Sequence, residues 1–273
     1  MSGNSETPLD VIDQYTGKVF RLSSTAGSLD LDRLPDMLSG KRIFLDPPKE
    51  YQNEEIEVPE IFKTNGEVRI MTTVENVERV SDGDLDIVTG DIILDETGSV
   101  MFRNQQVLLL DTESVQFVVF EYESMHYISL IAGRKLVDNV LKILGDDFED
   151  ENLSLTEILL SSSDIDKVAD DLADELLNTT FQDYPQSSID KKYISGRGYQ
   201  NEPEYQEEKR RGAVRTHMMA TEKLIDGSEK VVGLSEDALV RSYSNLALHT
   251  YLNMIRDYIL PPISTQATVT DFQ

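Results

Sequence analysis

The chain has 273 residues, with 51 Asp and Glu against 25 Lys and Arg, a formal net charge of −26, and neither cysteine nor tryptophan. That length holds one large domain or two modest ones. The missing cysteines exclude disulfides, thiolate catalysis and cysteine-containing zinc sites, while the acidity excludes binding to nucleic acid or anionic membranes through global charge.

The acids are dispersed among apolar runs such as Ile128–Leu130 and Val137–Leu144, which favours a packed fold over a disordered acidic chain. At molar salt the Debye length falls to about 3 Å, and a carboxylate-rich surface keeps its hydration. The composition therefore reads as that of a halophile, an archaeon or a virus of one, with the protein in the cytoplasm. No apolar run reaches the ~18 residues of a membrane span, so no membrane partner is expected. The N-terminus has neither the basic nor the apolar stretch of a secretory signal.

Residues 1–16 read as a polar tail, and so do residues 263–273. Between 17 and 132 the pattern is short strands: Lys18–Leu22, Lys41–Leu45, Val68–Val74, Leu85–Thr89, Asp91–Leu94, Val100–Arg103, Val107–Leu110, Val115–Phe120 and Met125–Ala132. Asp95-Glu-Thr-Gly98 between two such runs reads as a hairpin loop. A helix is expected over about 135–144, with Leu136, Val137, Val140, Leu141 and Leu144 on one stripe and Gly145 as its stop. Ser154 and Glu157 have capping-box spacing, and a second helix is expected over about 164–178, giving helices at 135–144 and 154–178 within a β-rich region 17–180.

The segment 185–212 reads as one strand inside long loops. Strands resume at Ala213–Ile225, Lys230–Leu234 and Ala238–Ser244, with Asp226-Gly227 as a tight turn. An amphipathic helix over about 246–260 follows, capped by Ser244 or Asn245 and ended by Pro261-Pro262. A single helix from Glu236 to Leu260 is the alternative for this stretch. Strands followed by helices, twice over, indicate an α+β fold. It consists of a strand-rich N-terminal region (barrel or open sheet) followed by helices, then a smaller C-terminal antiparallel sheet with a terminal amphipathic helix over 190–262.

No motif names a reaction. Asp82-Gly-Asp84-Leu-Asp86 begins like a calcium loop, but Ile87 and Ile93 stand where the loop needs Gly and Glu. Leu29-Asp30-Leu-Asp32 is the same kind of chance run. Gly133-Arg134-Lys135 lacks both phosphate-loop spacings. The three histidines, His126, His217 and His249, form no paired ligand spacing. No catalytic residue, metal ligand or cofactor site is assigned.

One region stands apart. Residues 191–215 carry seven basic residues and four acids, a local net of +3, and no acid occurs from Lys209 to Thr221. Strand alternation places Arg197 with Tyr199, Arg215 with His217, and Arg241 with Tyr243. If neighbouring strands align them, these groups and Lys209, Arg210 and Arg211 form a surface for phosphates and stacked bases. The reading favoured by the sequence is a non-enzymatic binding protein for nucleic acid or another anionic partner. A structural or assembly subunit, with a protein partner or homo-oligomer, comes next, and a metal-dependent hydrolase using dispersed carboxylates with His217 comes third.

Overall fold

The computed structural model describes residues 9, 12–45, 56–57, 63–64, 67–68, 70–82, 85–172, 175–184, 190–223 and 229–263. In chain order the strands begin with β1 (Ile12–Asp13) and β2 (Thr16–Ser24), then, after helix α1 (Leu34–Leu38), β3 (Arg42–Leu45), β4 (Ile56–Glu57), β5 (Lys63–Thr64), β6 (Glu67–Val68), β7 (Ile70–Asp82), β8 (Leu85–Phe102), β9 (Gln105–Tyr122) and β10 (Met125–Ile131). Helix α2 (Arg134–Asp150), β11 (Leu153–Glu157), α3 (Ser162–Leu172), β12 (Glu175–Gln182), β13 (Lys191–Ser195) and α4 (Pro203–Arg210) follow. The chain continues with β14 (Val214–Lys223), β15 (Glu229–Ser235), β16 (Leu239–Ser242), β17 (Leu246–Ala247) and α5 (Leu248–Met254), which runs into a π-helical turn, Ile255–Ile259. The class is α+β and dominated by antiparallel sheet, and among the described residues no closed barrel forms. Among the described residues no helix is long and apolar enough to cross a membrane.

The chain divides into two compact units. The first takes its described residues from those up to Leu22, from Glu121–Arg134 and from Thr156 onward; the second takes them from Ser23–Phe120 and Lys135–Leu155.

In the first unit β13, β12, β14, β15, β16, β2 and β10 neighbour one another in that order, all antiparallel. Met218, Leu234 and Val240 are cross-strand partners and fully buried, and α3 packs on β14 with Ile165 and Val168 in the core. A capping box opens α3, but at Ser161 rather than Ser154. The Asp164 carboxylate accepts the Ser161 N–H at 2.9 Å, and the Ser161 hydroxyl accepts the Asp164 N–H at 3.3 Å. Tyr251 of α5 is fully buried and donates to the Val240 carbonyl. Its ring passes so close to β2 that a Cβ at Gly17 would stand 2.8 Å from the Tyr251 hydroxyl oxygen and from Ser129 Oγ.

In the second unit β9, β8, β7 and β3 form an antiparallel ladder, and β4 joins β9 in parallel. Val137, Val140, Leu144 and Phe148 line the buried stripe of α2.

Several expectations are corrected here. The N-terminal tail does not extend to residue 16: β1 pairs with β17, and Tyr15 is buried against Tyr251. Asp95–Gly98 is no loop. Those residues pair with Leu109–Thr112 inside one long hairpin, whose turn is Arg103–Asn104, at φ 49° and 64°. Two successive positive φ angles are what a two-residue hairpin needs to match strand twist, and Asn tolerates them. Gly145 does not stop α2, because burial of Phe148 one turn on outweighs the ~1 kcal/mol cost of an interior glycine. Ser154–Glu157 is strand, and Glu157 pairs with the buried Lys18. The helix expected to reach 178 ends at Leu172. Residues 175–182 instead make β12, where Thr179, Thr180 and Phe181 suit a pleated surface. Pro203–Arg210 is a helix rather than loop. Ala247, not Ser244 or Asn245, precedes α5, and the single-helix alternative fails because Leu239–Ser242 is a strand. Asp226-Gly227 and residues 264–273 lie outside the described residues.

Candidate functional site

The sheet of the first unit has two unlike faces. One carries Met218, Leu234 and Val240 and meets α3. The other carries the alternate set: His217 pairs with Thr180 and Ser235, Met219 with Gly233, and Gly233 with Arg241. Thr180 also pairs with Tyr193 and Gln182 with Lys191, so directly opposed residues continue this face out to β13. Lys191, Tyr193, His217, Arg241 and Tyr243 therefore occupy one side of five consecutive strands.

Gly233 makes the close packing on this face possible. A Cβ there would stand 3.1 Å from the Tyr243 ring and 3.6 Å from His217 Cε1, so both rings lie over bare backbone. The Arg241 guanidinium lies 5.6 Å from the Tyr243 ring centroid and donates from Nε to Thr16 Oγ1 at 3.1 Å. Tyr243 is 39 % exposed and Tyr193 59 %. Burial first, then the Arg241, Lys191 and Arg134 cations, hold the His217 pKa below its ordinary value. Arg134 pairs with Asp237 at 2.8 Å. Among the described residues Arg241 and Lys191 make no ion pair, in a chain where acids outnumber bases two to one.

Of the nine positions singled out in the sequence, His217, Arg241 and Tyr243 come together here. Arg215 does not share their face. The register between β12 and β14 shifts from Thr180↔His217 to Phe181↔Arg215, so Thr216 is a bulge residue and the side chains on either side of it point oppositely. Arg215 turns to the α3 side and is 1 % exposed. Its Nη1 is 2.7 Å from Asp166, it donates to the Tyr205 hydroxyl, and its guanidinium lies 5.6 and 5.4 Å from the Phe181 and Tyr205 rings.

Tyr199 is buried edge-on against Tyr205, its phenol pKa raised by burial. It does not share a face with Arg197, because β13 ends at Ser195 and Gly196 and Gly198 redirect the chain at φ 154° and 66°. Arg197 is exposed, 3.9 Å from Glu175. The basic run Lys209–Arg211 is spent within the unit: Lys209 on Asp166 and the Tyr205 ring, Arg210 on the Gln206 carbonyl, Arg211 on Glu207 and Glu208.

Lys191 and Tyr193 complete the face and were not assigned to a binding surface from the sequence; Arg134, read there only as part of a turn, opens α2 and helps to hold the His217 pKa down. Alternation at 191, 193 and 195 marks one face of a strand, but nothing in it says which face stays open.

The remaining motifs are structural. Asp86 accepts from Arg79 and Ser81, and its pKa is lowered chiefly by the Arg79 hydrogen bond. Asp32 also pairs with Arg79. His126 lies 3.6 Å from Glu121, and His249 Nδ1 lies 3.4 Å from the Leu9 carbonyl. Among the described residues no group of three His, Asp or Glu converges on a point that could hold a metal. No protein-family model matches the sequence, and no curated protein matches it significantly.

Proposed function

We propose that the chain binds single-stranded nucleic acid on the open face formed by β13, β12, β14, β15 and β16, without catalysis. The observation that carries this reading is the strand register that puts Lys191 and Arg241 on the same face as His217, flanked by two exposed tyrosines, in a chain of net −26. Arg134 is held by Asp237, whereas Lys191 and Arg241, which make no ion pair among the described residues of so acidic a chain, point to an external anion. Flat rings beside them add what a bare phosphate site lacks, a stacking surface for bases.

Tyr193 and the ring over Gly233 are three strand spacings apart, roughly 14 Å, a distance that an extended strand covers with a few nucleotides. Three phosphate contacts lose roughly 500-fold in affinity between 0.15 and 3 M salt, at a slope of about −0.7 per contact for single strands. Stacking, at about 1–3 kcal/mol per base, survives that change. In molar salt the tyrosines therefore contribute more than the cations.

The test is fluorescence anisotropy with a labelled single-stranded oligonucleotide in molar KCl. Tyr193→Ala and Tyr243→Ala are each expected to weaken binding about tenfold or more. Lys209→Gln, on α4 away from the face, is expected to leave it unchanged. Equal affinities for all four proteins would refute the assignment.

A further inference from the structure

Arg241 and Tyr243 are fixed in place by the strands around them. Arg241 stands in register between Gly233 of β15 and Thr16 of β2, and its Nε donates to Thr16 Oγ1 at 3.1 Å. Tyr243 follows the last residue of β16, and its N–H donates to the Val231 carbonyl at 2.8 Å. The Val231 N–H in turn donates to Ser244 Oγ at 2.9 Å, and the Ser242 hydroxyl donates to the Ser244 carbonyl. The Tyr243 ring packs over the bare backbone of Gly233 while 39 % of the residue stays in solvent. Groups held in this way have little left to order when a ligand arrives.

The guanidinium sits beside the ring rather than flat upon it. Stacked carbon atoms approach to about 3.5–4.0 Å, whereas Arg241 Cζ is 5.6 Å from the Tyr243 centroid. With Nε committed to Thr16, the two Nη groups are the donors that remain, on an exposed side chain with no ion pair among the described residues. Two parallel donors in one plane match two adjacent acceptors, a geometry that the single ammonium of Lys191 cannot select.

A single strand offers such acceptor pairs on its phosphates and on its base edges. The fork lies next to a stacking ring, where the edge of the stacked base comes to it. Guanine carries O6 and N7 side by side as acceptors; adenine interrupts that edge with an amino donor and thymine with a methyl group. Cytosine pairs O2 with N3, but its single ring covers less of a tyrosine than a purine does.

We propose that this corner of the face selects guanine, the base stacking on Tyr243 while the two Nη groups of Arg241 donate to O6 and N7. The inference rests on the nucleic-acid reading of the face and gives it a base preference. Lys191, two strands away from β15, is left to the phosphates.

The test uses short labelled thymine strands whose central base is thymine, guanine, adenine, cytosine, hypoxanthine or 7-deazaguanine, titrated by anisotropy in molar KCl. The guanine strand is expected to bind about 5- to 100-fold more tightly than the all-thymine strand. Hypoxanthine keeps O6 and N7 and is expected to match guanine within about twofold. The 7-deazaguanine strand keeps the stacking area without the N7 acceptor and is expected to lose most of the gain. Arg241→Lys retains the charge without the fork and is expected to abolish the guanine-to-thymine affinity ratio, which Lys209→Gln on α4 leaves at its native value. Equal affinity for all bases, tightest binding of the cytosine strand, or 7-deazaguanine binding as well as guanine overturns the proposal and leaves the nucleic-acid reading standing. Absence of binding by every strand overturns both.

Discussion

Replacing Arg215 by Ala separates a structural role for this residue from a binding one. The guanidinium is buried on the α3 side, paired with Asp166, hydrogen-bonded to Tyr205 and packed on two rings. Removing one member of a buried pair costs about 3–5 kcal/mol when the other charge is left stranded. The Asp166 side chain keeps 29 % of its exposure and can rehydrate, so the lower end applies, about 3 kcal/mol. At roughly 2–4 °C per kcal/mol for a domain of this size, Tm falls by about 6–12 °C. Calorimetry in low and molar KCl is the assay, and the loss is expected to be nearly the same in both, because a buried pair is poorly screened. Arg215→Met keeps the stem and is expected to cost less. A Tm within about 1 °C of native for Arg215→Ala, or a loss of oligonucleotide affinity at unchanged stability, would refute the burial argument.

Three further outcomes follow from the same geometry. Gly17→Ala forces a Cβ against Tyr251, Ser129 and the Leu130 carbonyl, and is expected to cost about 2 kcal/mol in urea unfolding; a neutral change would mean the β2–α5 contact is looser than described. Because the folded pKa of His217 is depressed, its contribution to stability is complete above the unfolded value of about 6.5 and is lost as pH falls through the folded value. Its charged neighbours are all cations, so Arg241→Gln is expected to move the His217 titration upward in NMR, and no movement would place Arg241 elsewhere. An anion bound among those cations stabilises imidazolium, so oligonucleotide binding is expected to tighten and take up a proton below about pH 6.5, whereas a flat pH profile would remove His217 from the site.

Much of the strand content is legible from alternation, as in Met125–Ile131, Val214–Lys223 and Glu229–Ser235, and the first half of α2 from its stripe. Where the reading fails, local pattern and long-range pairing disagree. Asp95-Glu-Thr-Gly98 has the composition of a turn, and only its partners Leu109–Thr112 keep it extended. Leu172 and Leu176 keep helical spacing across what is in fact the end of α3 and the start of β12. Pro203–Arg210 buries only Tyr205 and Glu208 and so shows no apolar stripe. For the candidate site the decisive feature is the bulge at Thr216, which is set by β12 rather than by β14's own residues. It sends Arg215 and His217 to opposite sides, dividing a platform that alternation alone assembles on one.

The most direct test of the central claim is anisotropy of a labelled single strand, and of its duplex, titrated with the native chain in molar KCl. Saturable binding of the single strand in preference to the duplex is the predicted result, since the tyrosines need unstacked bases. No binding at that salt, or equal binding of the duplex, would contradict it and leave the exposed cations and rings of this face without the proposed ligand.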